Sequence, residues 1–268
     1  MGLYCVFGPL GRAIAACHTL FIIAYLIAIA AAIIVAIRTF RKKAMISVLL
    51  VTVATLAMVF YCISNILALA TEVHVACSNN LLPALLIAES VLAVIGDALL
   101  LAALLLLPHH LGRLPILAII VQGVTFVIVW ALMLAWVISR WFTTSIDLFR
   151  ATYALYGFAV CLTIGLSFYG LIAQRPKGTA QIYHLVVLAV ISCLMVVWFV
   201  LTFVWFIPLA TVHGLDGSSY MVVEVDKVIR VIVLGYLIEL ARFAVLLLIT
   251  LAAELGGAGV QDQEAYEA

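Results

Sequence analysis

Charge is scarce in this chain: Asp, Glu, Lys and Arg together make up 9% of its 268 residues, 13 basic against 12 acidic. That excludes a solvated surface of ordinary extent, and the lack of a basic patch excludes a nucleic-acid partner. No stretch alternates apolar and polar residues as a half-buried strand does, so helices are the economical way to satisfy the backbone. The six cysteines contain no CxxC pair and no Cys/His group at metal-ligand spacing, so nothing in the sequence calls for a metal or a cofactor.

What is abundant is hydrocarbon. Hydrophobic residues make up 68% of the chain, and the mean hydropathy is +1.37. Runs long enough to cross a bilayer fall at about 13–37, 44–70, 81–107, 115–138, 149–173, 182–208 and 222–253. The expected fold is an all-α integral membrane protein: a short segment 1–12, a seven-helix transmembrane bundle over 13–253, and an acidic flexible tail over 254–268. The first run ends in "RTFRKK", is too long for a signal-peptide core and lacks a clear cleavage site, so it reads as a retained helix. "MGLYCV" carries Val6 where a myristoylation signal needs Ser or Thr.

Basic residues set the expected orientation. Arg38, Arg41, Lys42 and Lys43 follow helix 1, Arg113 follows helix 3, and Arg175 and Lys177 follow helix 5, whereas the connections after helices 2 and 6 have neither Lys nor Arg. The positive-inside rule then puts the N-terminus outside or lumenal and the C-terminus in the cytoplasm. Cys5 and Cys77 both fall on the outer side, where a disulfide could join them in an oxidising compartment. Cys17, Cys62, Cys161 and Cys193 sit within helices as small apolar fillers.

Several seven-helix functions lack their residues. A retinal pigment needs a lysine in the middle of helix 7, where this chain has Tyr236 and Glu239, with Lys227 near the outer end. A typical G-protein-coupled receptor carries an acidic-Arg-aromatic triplet at the inner end of helix 3. This chain has "PHHLGR" there, and its helix 7 has no proline. His109 and His110 read as part of a cytoplasmic loop. No internal repeat of the transporter kind is found.

The informative residues are the few polar ones inside the runs. In "AESVLAVIGDALLLAALLLLPHH", residues 88–110, Glu89 and Asp97 stand in hydrocarbon, where a charge costs roughly 2.5–3.5 kcal/mol. Counting about 1.5 Å per residue places Glu89 and Asn65 in the outer half, and Asp97, Gln122, Glu239 and Arg242 in a layer at or inside the midplane. Glu239 and Arg242, at i and i+3, can meet on one helix, and Asp97 can complete a structural ion pair with Arg242 across the bundle. Asp226 and Arg230 make a second pair at the outer entrance of helix 7. Glu89 has no cation at its depth except Arg140, Arg150, Lys227 or Arg230 reaching down from the outer ends. A carboxyl in a dry pocket favours its neutral form, and a neutral acid is what general-acid catalysis requires. Hydrogen bonding to Asn65 or Ser64 is the plainer alternative. Trp136, Trp141 and Trp205 read as interfacial belt residues, with Tyr153 and Tyr156 in the outer half of helix 5. Trp198, Phe203 and Tyr236 read as walls that could face a cation.

In length, helix number, short loops and the intramembrane acids Glu89, Asp97 and Glu239, the chain resembles the small seven-helix membrane terpene cyclases of fungal meroterpenoid pathways. That resemblance implies an enzyme of the isomerase or lyase type acting in secondary-metabolite biosynthesis. It would protonate a lipophilic isoprenoid or epoxide and guide the cation through cyclisation. Glu89 would be the acid, Asp97 or Glu239 the base or an electrostatic support, and Trp198, Phe203, Tyr236 and Asn65 the lining. Its partners would be the lipid bilayer and a lipophilic substrate, its membrane the endoplasmic reticulum or, as the alternative, the plasma membrane. A receptor-like or structural seven-helix protein fits the same topology, and a small-molecule or proton-linked transporter is a third reading.

Overall fold

The computed structural model describes residues 9–42, 44–78, 82–111, 116–139, 146–173, 179–205 and 235–267. They form seven α-helices and, among the described residues, no strand: α1 Pro9–Arg41, α2 Met45–Ser78, α3 Pro83–Leu111, α4 Ile116–Ser139, α5 Ile146–Ala173, α6 Thr179–Trp205 and α7 Gly235–Glu267. All seven are long and apolar enough to cross a membrane.

Their apolar residues are not reserved for the inside. Leu20, Ile27 and Ile34 of α1, Leu117, Ile120 and Val124 of α4, and Val186, Val196 and Val200 of α6 are exposed, while Asn65, Asp97, Gln122, Thr163 and Ser167 are buried. A soluble bundle of this size would not leave so broad an apolar surface open to water. Together the two facts fit an integral multi-pass protein.

Two helices organise the bundle. α2 packs against α1, α3 and α7, and α7 packs against α1, α2, α3 and α6, while α5 bridges α3, α4 and α6. Where charge is absent, small residues allow close approach. A Cβ added to Gly96 of α3 would stand 2.7 Å from the Tyr61 ring of α2, and one added to Gly157 of α5 would stand 2.6 Å from the Phe199 ring of α6. These glycines let two aromatic rings lie against a neighbouring backbone.

The opposite end of the bundle, where α1 and α3 finish, departs from the sequence expectation. α3 continues through Pro108 to Leu111, so His109 and His110 stand in its last turn rather than in a loop. Proline there removes one hydrogen bond close to the helix end, and His110 offsets the loss with longer-range ones. Its Nε2 donates to the Ala252 carbonyl of α7 at 3.2 Å, leaving Nδ1, at 3.3 Å, to accept from the Ser47 hydroxyl of α2. α7 likewise runs on to Glu267, beyond the point where a flexible tail is expected. At the start of this stretch Glu254 pairs with Arg38 of α1 at 3.0 Å.

Candidate functional site

The inner polar layer assembles as one cluster. Arg242 Nη2 of α7 reaches Asp97 Oδ2 of α3 at 2.8 Å, and Nη1 reaches Glu239 Oε2, one turn earlier on its own helix, at 3.2 Å. The remaining carboxylate oxygens are also occupied. Tyr61 of α2 donates to Asp97 Oδ1 at 2.6 Å, while Tyr25 of α1 and Asn65 Nδ2 of α2 both donate to Glu239 Oε1 at 2.9 Å. Tyr156 of α5 donates to the Asp97 carbonyl at 3.3 Å.

Aromatic faces complete the surroundings of the arginine. Its Cζ lies 5.2 Å from the Tyr61 ring centre and 5.8 Å from that of Trp198 on α6. Trp198 in turn packs on Tyr156 at 4.9 Å, and Tyr25 stacks on Tyr61 at 6.0 Å. Contacts of this kind draw a desolvated guanidinium toward the ring faces. Six helices therefore meet at one layer, and every one of the four carboxylate oxygens has a donor. The cluster thus sets two acidic side chains against one guanidinium.

Above this cluster, toward the end where α1, α3 and α7 begin, lies a cavity of about 400 Å³. Asp97, Glu239 and Arg242 form part of its wall, and so does Glu89, two turns before Asp97 on α3. His18, Asn65, Trp136, Tyr153 and Tyr236 supply polar and aromatic surface, and Ala68, Ala93, Val94 and Ile238 the apolar part. The volume lies within the roughly 300–1,000 Å³ of small-molecule sites.

The expected residues fall into distinct places. Asp97, Glu239 and Arg242 come together as an ion-paired group, and Glu89 shares the cavity with them. Asn65 and Tyr236 line the cavity, but Asn65 is engaged with Glu239 and with the Tyr61 carbonyl, both at 2.9 Å. It is Ser64 that touches the Glu89 backbone, donating to its carbonyl at 3.2 Å. Trp198 is buried behind Arg242 and is not among the residues lining the cavity. Trp136, expected at the interfacial belt, lines the cavity and meets the Tyr153 ring edge-on at 6.1 Å. Gln122 is buried, but neither its oxygen nor its nitrogen has a hydrogen-bond partner among the described residues, so it does not join the cluster.

Cys77 is disulfide-bonded, and Cys17, Cys62, Cys161 and Cys193 are free. Cys5, Arg140, Trp141, Asp226, Lys227 and Arg230 lie outside the described residues, as do the side chains of Arg150, Phe203 and Trp205. Among the described residues no group of three His, Cys, Asp or Glu side chains could hold a metal ion.

Sequence reasoning missed His18, Tyr25 and Tyr61. Helix counting would have placed Tyr25 and Tyr61 at the depth of Glu239 and Asp97. A tyrosine at the depth of a buried carboxylate is a natural donor to it. Compared with known protein families, curated proteins and solved structures, the chain gives no match.

Proposed function

We propose that this chain is a multi-pass membrane enzyme, with its N-terminus outside or lumenal, that cyclises a lipophilic isoprenoid or its epoxide. One observation carries this reading: Glu89 shares a mostly apolar cavity with a cluster of two acidic side chains and one arginine.

The chemistry divides between the two ends of the cavity. Glu89, in its protonated form, gives its proton to a terminal alkene carbon or to an epoxide oxygen, leaving a tertiary cation on the substrate. Internal double bonds then attack that cation in turn, each closing a ring and moving the positive charge along the chain. The Asp97, Glu239 and Arg242 cluster does not react. Its two acidic side chains, fixed before the substrate arrives, stabilise the travelling cation, and the faces of Trp136, Tyr153 and Tyr236 add to this. The aliphatic and aromatic wall between the polar groups suits a hydrocarbon substrate, which displaces water on entering. Residence in the endoplasmic reticulum suits a substrate dissolved in the bilayer.

Turnover in membranes tests the reading. Microsomes containing the wild-type chain are expected to convert a farnesylated phenol, or its terminal epoxide, into cyclic isomers of unchanged mass. Glu89→Gln is expected to abolish conversion at normal expression. Unconverted substrate with the wild-type chain would count against an enzyme and favour a receptor or structural role.

A further inference from the structure

We infer that His18 of α1 is the proton acceptor that ends the reaction; the inference rests on the cyclase reading and assigns a role that neither acid of the cluster can fill. Asp97 and Glu239 have all four carboxylate oxygens occupied by donors from Arg242, Tyr61, Tyr25 and Asn65. A proton arriving there would have to displace one of these bonds. His18 lines the same cavity and carries no such burden.

The hydrogen bonds determine which ring nitrogen is available. Asn65 Nδ2 is used twice, toward the Tyr61 carbonyl and toward Glu239 Oε1, so its Oδ1 can only accept. His18 Nδ1 lies 2.8 Å from that oxygen and is therefore the nitrogen that carries hydrogen. Nε2 is left with its lone pair and has no hydrogen-bond partner among the described residues. The edge-on contact with Tyr236, at 5.9 Å and 68°, fixes the ring from its other side.

The arrangement His18, Asn65, Glu239 is an imidazole oriented by an amide that is itself oriented by a carboxylate. When Nε2 takes a proton, Nδ1 still donates to Asn65 Oδ1 and the ring keeps its orientation. The step balances. A C–H bond next to the cationic carbon breaks, its electron pair forms the alkene, and the proton becomes Nε2–H. Glu89 began the reaction by losing a proton; once product has left and water enters, the His18 imidazolium gives its proton to water and the Glu89 carboxylate takes one from it, which resets the enzyme without consuming any other reagent.

The test compares variants in the microsomal assay with a farnesylated phenol as substrate. His18→Gln keeps a donor toward Asn65 but has no base, and conversion is expected to fall at least 100-fold, the lower end for general-base catalysis, with KM little changed. Cation captured by water should then appear as an alcohol in place of the alkene. His18→Ala should be partly restored by added imidazole, which an unfolded protein would not be. Conversion by His18→Gln within about threefold of wild type, with Glu89→Gln inactive, would overturn the assignment of His18 alone. Loss in both His18 variants without imidazole rescue would mark a structural histidine and also overturn it. No conversion by the wild-type chain would remove the cyclase reading, and this inference with it.

Discussion

Replacing Arg242 by methionine probes the cluster most severely, because it removes the guanidinium and leaves its two carboxylates in place. The side chains concerned are only 14%, 3% and 13% exposed for Arg242, Asp97 and Glu239, so water cannot take over from the arginine. Removing one member of such a buried group costs about 3–5 kcal/mol. At about 2–4 °C per kcal/mol for a chain of this size, the melting temperature in detergent should fall by about 6–20 °C. Neutralising the orphaned acids should recover much of that loss, since the triple variant Arg242→Met, Asp97→Asn, Glu239→Gln leaves no uncompensated charge. Tyr61, Tyr25 and Asn65 can still donate to the amide oxygens. Size-exclusion chromatography after graded heating gives the melting curve for each. If Arg242→Met melted within about 2 °C of wild type, or if the triple variant were no more stable than the single one, the cluster would not be the interhelical clamp described.

The tight approach of Tyr61 to Gly96 predicts that Gly96→Ala loses about 2–4 kcal/mol, since overpacking and disturbance of the bond to Asp97 outweigh the gain in helix propensity. Gly123→Ala on α4, whose Cβ would meet nothing within 4 Å, should be neutral or slightly stabilising in the same melting assay. Because Cys77 is bonded and four of the other five cysteines are free, peptide mapping without reductant should recover Cys77 joined to Cys5. The two acidic side chains beside the cavity predict that N,N-dimethylfarnesylamine, an ammonium at neutral pH, inhibits conversion at least tenfold more strongly than farnesol. Equal inhibition would show that the cavity does not favour cations.

The sequence made seven helices long and apolar enough to cross a membrane legible, because hydrocarbon length is a crude, robust signal. It also made the core of the cluster legible. Asp97, Glu239 and Arg242 are too costly to bury apart, and two of them are one turn apart on a single helix. The tyrosines were another matter. A tyrosine in an apolar run reads as packing, and only the rotation of its helix reveals that the hydroxyl of Tyr25 meets Glu239 and that of Tyr61 meets Asp97. His18 stayed hidden for the same reason, since nothing near it in sequence announces Asn65, 47 residues away. Trp136 lines the cavity, while Trp198 faces the arginine from behind it. Depth can be counted from a sequence, whereas the side of the helix a residue occupies is decided by packing. The end of α3 was misjudged at His110, where contacts made by α2 and α7 override the local end signal.

Isotope uptake in heavy water tests the central claim, that protonation by Glu89 starts the reaction, which with an unepoxidised substrate takes place at carbon. Microsomes equilibrated in deuterium oxide are incubated with a farnesylated phenol that carries no epoxide, and the cyclic product is examined by mass spectrometry. The account predicts one non-exchangeable deuterium per product molecule, and no product from Glu89→Gln. A cyclic product free of deuterium, or one formed equally well by Glu89→Gln, would contradict it.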